Sequence, residues 1–164
     1  MRYLRSLRSS DLQFLEAIEN NPDFMKYGAF HLPFTRAQLS EFIKHSHQNI
    51  RKSNQYRYVI EYREKAVGFL DLFDYEPKLN LAFVGIIVIP SHRKMNVAFE
   101  SLLELETLCK RDWGIRLLRA QVASDNLPSL QLFKKLKYKK LQNTDTSISS
   151  STNKALFLFE KALI

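Results

Sequence analysis

One cysteine, one tryptophan and four glycines occur in the 164 residues of this chain. A lone Cys109 excludes an internal disulfide and a cysteine-built metal cage. It falls at helical spacing with Leu102 and Leu105, which reads as a buried structural thiol and fits a reducing cytoplasm. Neither a P-loop nor a Rossmann glycine pattern is present, and no Ser/His/Asp signature replaces them. His31, His45 and His47 have no Cys or acid cluster at ligand spacing, so no metal is expected. No apolar run approaches the roughly 18 residues that span a bilayer, so no membrane partner is expected. The opening MRYLRSLRSSDLQFLEAIEN lacks the apolar region of a secretory signal. Its Arg and Ser content has a faint likeness to a transit peptide, but a strand entering a capped helix is the better reading.

Apolar residues make up 45% of the chain and include twelve Phe, enough for a sizeable core and against wholesale disorder. A chain of this length suits one domain over residues 1–164, burying roughly two-thirds of its unfolded surface. The net charge of +8 favours an anionic partner: nucleic acid, an anionic membrane face or a multiply phosphorylated cofactor. The densest basic run is Lys134, Lys135, Lys137, Lys139 and Lys140, which reads as a solvated helix end, with contact to a peripheral phosphate as the alternative. The aromatics sit mostly at core spacing and are not interleaved with that run, which disfavours nucleic acid.

Periodicity divides the chain into alternating elements. Residues 2–7 read as a strand, and Ser9 or Ser10 as the cap of a helix carrying Leu12, Leu15 and Ile18, closed by Asn20, Asn21 and Pro22. Thr35 starts a second helical segment that ends in the polar stretch 49–54. YRYVIEY and AVGFLDLF form a hairpin about Arg63, Glu64 and Lys65, and a turn at Glu76, Pro77 and Lys78 leads into a strand reaching Ile89. That strand is apolar on both faces, hence central. A helix through Ala98, Leu102, Leu105 and Cys109 ends near Trp113 and Gly114, and RLLRAQVA should then lie parallel to the strand before it. Asp125 or Asn126 opens a last helix, with Pro128 tolerated in its first turn. Two closing strands, near 138–142 and 155–162, flank the polar segment NTDTSISSSTN, which reads as a mobile hairpin loop.

The most informative stretch is VGIIVIP followed by SHRKMNVA, residues 84–98. A β-branched strand ends at Pro90, a basic loop follows, and a helix begins. Free N–H groups and the positive end of the helix dipole converge at such a point, and Arg93 and Lys94 add two positive side chains. A nucleotide-like or cofactor phosphate is the ligand this arrangement suits.

The element order β-α-α-β-β-β-α-β-α-β-β, with YLRSLRSSDLQFL, GFLDLFDYEPKLNLAFVGIIVIP and QVASDNLPSLQLFKKLKY, resembles the GCN5-related N-acetyltransferase (GNAT) superfamily, nearest its ribosomal-protein-alanine and spermidine acetyltransferase branch. The resemblance covers nearly the whole chain. It implies an α/β (α+β) fold: a mixed, mostly antiparallel sheet of about seven strands with about four helices. It also implies acetyl-CoA as co-substrate and direct acetyl transfer to a primary amine on a small molecule or a protein N-terminus. A cytoplasmic location and a homodimer accompany that picture. The family's pyrophosphate loop, Arg/Gln-x-x-Gly-x-Gly/Ala, is matched by Arg93, Lys94, Met95, Asn96, Val97 and Ala98. By the same resemblance Ile86, Ile87 and Val88 pair with the pantetheine arm, Asn126 and Ser129 bind its far side, and Phe133 stands by the sulfur.

The departures are specific. Asn96 stands where the loop normally has Gly, and Asn is the residue best able to imitate glycine's φ > 0. Phe83 occupies the place of the spermidine-type catalytic Glu, Phe133 that of a proton-donating Tyr, and Lys137 that of the glycine before the final aromatic, Tyr138. The catalytic residue is therefore not identified. Asp71, Asp74 and Glu76, along the strand beside the cleft, are candidates to draw in a cationic amine, and His92 a candidate acid or base beside the loop. Ordinary surface roles are the alternative for each. The competing reading for the chain is a CoA-binding sensor or partner-binding module on the same fold.

Overall fold

The computed structural model describes residues 2–24, 32–142 and 155–164. In chain order the elements are β1 (Leu4–Ser6), α1 (Leu12–Glu19), α2 (Arg36–His45), α3 (Ile50–Ser53), β2 (Gln55–Tyr62), β3 (Lys65–Glu76), β4 (Leu81–Val88), α4 (Val97–Leu108), β5 (Leu117–Ala123), α5 (Leu127–Lys135), β6 (Lys139–Lys140) and β7 (Leu156–Ala162). The seven strands form one sheet ordered β1-β2-β3-β4-β5-β7-β6. All pairings are antiparallel except β4 with β5, which the α4 crossover makes parallel. The expected α/β architecture is present, with five α-helices among the described residues where about four were expected.

Two apolar layers cover the sheet. One gathers Leu70, Leu72, Val84, Leu102, Leu105 and Leu118 beneath α4. The other packs Leu15 and Ile18 of α1 and Leu39 and Ile43 of α2 against Val59 and Phe69. This division follows the period-2 alternation of β2 and β3 and the helical spacing of α1 and α2. Gly68 is required sterically, since a Cβ there would stand 2.1 Å from the Ile87 carbonyl oxygen. Among the described residues no helix is long and apolar enough to cross a membrane.

Several expectations need correction. The chain enters α1 through a single turn of 3-10 helix at Ser9–Asp11, and neither Ser9 nor Ser10 is the cap. Asp11, 4% exposed, accepts the Arg8 amide at 2.7 Å and the Arg5 Nη1 and Nη2 groups at 2.8 Å each. A charge-assisted bidentate pair outcompetes a serine hydroxyl for that corner. The polar stretch 49–54 is not simply a helix end. Asn49 caps the short α3, and Asn54 stops it in the left-handed region at φ 61°. The thiol of Cys109 is buried and its pKa pushed up by that burial and by Glu106, as a structural cysteine requires. The closing strand expected over 138–142 shrinks to Lys139–Lys140. The polar loop, 143–153, lies outside the described residues.

Candidate active site

β4 and β5 pair over only three positions, Leu81 with Leu117, Ala82 with Leu118 and Phe83 with Arg119, and then diverge. Beyond Phe83, β4 keeps β3 on one side and β5 keeps β7 on the other. Peptide groups alternate in direction along a strand, so the open edges can be assigned. Ile89 donates to Val67 on the β3 side, which gives Ile87 the same direction and turns Val84, Ile86 and Val88 toward the gap. Ser124 donates to Ala155 on the β7 side, which turns Gln121 and Ala123 toward β4. A wedge lined by backbone amides and carbonyls thus opens in an otherwise continuous sheet. Of the three residues Ile86, Ile87 and Val88, two face it, and Ile87 belongs to the β3 ladder.

The basic loop closes one end of the wedge. Arg93 turns its Nε back to the Val88 carbonyl at 2.9 Å, fixing the loop to the strand it leaves. Lys94 and Asn96 both adopt left-handed backbone, at φ 62° and φ 64°. Asn96 thus meets the conformational demand of the glycine it replaces. Its side chain does not cap α4. The carboxamide instead donates to Glu100 Oε1 at 3.1 Å and accepts from Lys135 Nζ at 3.3 Å. The N–H groups opening α4 are therefore not consumed by Asn96, and the helix is long enough, at 12 residues, to carry a useful dipole. Met95 is exposed, Ala98 half-buried, and Val97 is anchored in the core at 1% exposure.

On the far side, Asn126 caps α5 through Oδ1, which accepts the Ser129 amide at 3.4 Å. Phe133 is buried edge-on to Tyr138 at 5.0 Å and stacked on Phe159 at 6.3 Å, with no group able to give a proton. Lys137, in the second glycine position, also has positive φ, 68°. Phe83 lies half-buried against Phe73, ring centres 5.8 Å apart.

The acids and the histidine are distributed unevenly. Asp71 lies on β3 opposite Gly85 of β4 and accepts Arg57 Nε at 2.6 Å and Nη2 at 2.8 Å. Arg57 also donates to Glu19 and lies over the rings of Phe42 (5.4 Å) and Phe69 (4.9 Å). Burial lowers the Arg57 pKa, but the charges of Asp71 and Glu19 outweigh it and raise the pKa, so this cation is permanent. Asp74 is exposed at a bulge with φ 48°, and Glu76 accepts the Lys78 amide. His92 turns its ring edge to Tyr62 at 5.9 Å and shares a 2.8 Å hydrogen bond with Ser91, so it faces the hairpin end of the sheet.

Arg57, Asp71 and Glu19 form part of the wall of a chamber of about 480 Å³ between α1, α2 and strands β2 and β3. Phe34, Phe42, Phe73, Leu15 and Leu39 supply much of the rest. Of these side chains only Asp71 was anticipated as functional. The available signal was the pair of charges, Arg57 and Asp71, at matching positions of two consecutive strands. Glu19 and Phe42 come from helices whose placement over the sheet is tertiary information.

The family model described as an acetyltransferase (GNAT) domain matches residues 2–139. No curated protein matches the chain by sequence. Among solved structures, the fold is similar to a spermidine N-acetyltransferase from Vibrio cholerae in complex with CoA and spermine, with TM-score 0.82 and 20% identity over 98% of this chain and 94% of that one. It is also similar to RimL, a ribosomal L7/L12 alpha-N-protein acetyltransferase in complex with coenzyme A, with TM-score 0.83 and 15% identity over 98% and 93%. A dodecameric spermidine N-acetyltransferase from Vibrio cholerae gives TM-score 0.78 at 18% identity, over 98% and 92%.

Proposed function

The chain belongs to the GNAT acetyltransferase family, and from that premise we propose how its own residues use acetyl-CoA. It is an acyl-CoA-dependent N-acetyltransferase. The observation that carries the mechanism is the wedge beyond Phe83, where β4 stays paired with β3 on one side while its edge toward β5 pairs with no described strand. The amides of Ile86 and Val88, beyond the last bond to β5, suit the amide-bearing pantetheine arm, which adds to β4 as a short strand would. The Val88 carbonyl is already committed to Arg93. The α4 N-terminus, held open by the left-handed Asn96, takes the diphosphate with Arg93 and Lys94 beside it. Asn126 and Ser129, at the start of α5, contact the pantetheine from the opposite side.

One outward-facing β4 amide polarises the thioester carbonyl. The neutral amine attacks that carbon, a C–N bond forms, and the tetrahedral oxyanion is stabilised by the same amide. Collapse breaks the C–S bond, and the thiolate takes up the proton that the amine nitrogen sheds through water. Phe83 and Phe133 offer no side chain for either transfer, so orientation and carbonyl polarisation supply most of the acceleration.

Incubation with acetyl-CoA and a panel of amines, followed by free thiol, tests turnover. No release above the blank with any amine rejects the enzyme. Micromolar CoA binding by calorimetry without turnover would make it a sensor. A reducing cytoplasm fits the buried, unpaired Cys109. A homo-oligomer is part of this reading, and light scattering on the purified chain tests it.

A further inference from the structure

We propose, building on the acetyltransferase reading, that the chamber between α1–α2 and β2–β3 seats the acceptor and selects a primary monoamine with an aromatic or bulky apolar body over a polyamine. Charge is the first argument. The described lining residues include two carboxylates, Glu19 and Asp71, and one guanidinium, Arg57. Asp71 spends both oxygens on Arg57. Glu19 also pairs with Arg57, so the described lining neutralises at most one ammonium. A molecule with three or four ammonium groups would leave the others desolvated without partners.

Shape is the second argument. At about 480 Å³ the chamber falls within the roughly 300–1,000 Å³ of small-molecule sites. Phe34 is pinned at its rim by Asn20, which both donates to its carbonyl (3.0 Å) and accepts from its amide (2.8 Å). Phe42 is fixed by stacking on Arg57, and Leu15 and Leu39 are buried behind it. Aromatic rings lining the chamber favour an apolar body beside the amine.

Position is the third. Asp71 pairs in register with Gly85, roughly 5 Å across the sheet. Gly85 immediately precedes Ile86, whose amide lines the wedge. A Cβ on Gly85 would meet Phe73 Cε1 at 3.5 Å, so the Phe73 ring spans from the chamber wall to that strand. An amine seated near Asp71 therefore stands one strand from the thioester's expected place.

The test compares kcat/KM for phenethylamine and spermidine at saturating acetyl-CoA. The expected preference for phenethylamine is at least tenfold, and an equal or better rate with spermidine overturns the proposal while leaving the acetyltransferase reading intact. Gln38→Glu supplies the gain-of-function arm. Gln38 accepts the Thr35 amide in a capping box that Glu also satisfies, so α2 is preserved while the chamber gains one acid. The variant should improve spermidine several-fold relative to phenethylamine, and an unchanged ratio overturns the proposal. If no amine turns over, saturation-transfer NMR on the CoA-bound protein decides. Phenethylamine ring signals that weaken in Phe42→Leu support the chamber, and ring signals that are absent or unaffected by that substitution refute it.

Discussion

The Lys135 ammonium donates to the Asn96 carboxamide oxygen at 3.3 Å, joining the end of α5 to the start of α4. Lys135 also lies 4.3 Å from the centre of the Phe99 ring. Together with Glu100 these contacts hold the Asn96 side chain off its own helix terminus, where a capping carboxamide would compete with an anion. Asn96→Gly keeps the left-handed backbone and removes the Cβ, and should tighten CoA binding a few-fold by calorimetry. Asn96→Val should weaken it about tenfold, because a β-branched residue resists φ 64° by roughly 1–2 kcal/mol.

Lys137 repeats the conformational problem at φ 68°, following α5 where the Tyr138 amide bonds back to the Phe133 carbonyl at 3.0 Å. Lys137→Gly should stabilise the protein by about 0.5–1 kcal/mol, the strain relieved exceeding the entropy added to the unfolded chain. Thermal melting should rise by roughly 1–4 °C.

Asp11 supports the first turn after β1. Burial alone raises its pKa, but the Arg5 guanidinium and the Arg8 amide overcome this and hold it below the usual carboxylate value. A carboxylate with a depressed folded pKa stabilises the fold above its unfolded pKa, about 3.9, and that contribution is lost as pH falls through the folded value. Asp11→Asn should cost about 1.5–3 kcal/mol at pH 7 in denaturant melts, and the difference from wild type should shrink in acid.

Arg57→Met isolates the guanidinium's structural share. It leaves Asp71 and Glu19 facing one another without their shared cation, and should destabilise by about 3–5 kcal/mol. The double variant Arg57→Met with Asp71→Leu should recover much of that loss in urea titration.

Phe83 bears on pH dependence. Without a side-chain base at that position, kcat/KM should climb about tenfold per pH unit with the free-amine fraction, up to the acceptor's own pKa. Phe83→Glu should flatten this profile and raise the rate near neutrality, with CoA affinity unchanged.

Much of this was readable one residue at a time. The alternation of YRYVIEY placed β2, the run from Val84 to Ile89 marked a central strand, Thr35 capped α2, and of Asp125 and Asn126, the two candidates to open α5, Asn126 is the cap. These signals are local, set by steric preference and by hydrogen bonds within one turn. Asn96 and Lys137 were legible as departures because glycine positions carry a backbone requirement that a sequence pattern displays, and both adopt positive φ.

What the chain could not announce is where its elements separate. A parallel pair that stops after Phe83 and Arg119 leaves no mark on either strand, because the amides beyond it have the same residue types as those before it. The same holds for the chamber, where Glu19 and Asp71 converge on Arg57 from a helix and two strands that are distant in sequence. By itself the sequence determined the order of the elements and the left-handed backbone that Asn96 and Lys137 must adopt, since these rest on neighbours within a few residues. Only the tertiary structure decided where β4 and β5 part and which side chains line the chamber between α1–α2 and β2–β3. Those depend on how far strands diverge under twist and which helix faces settle over them, which are properties of the whole sheet.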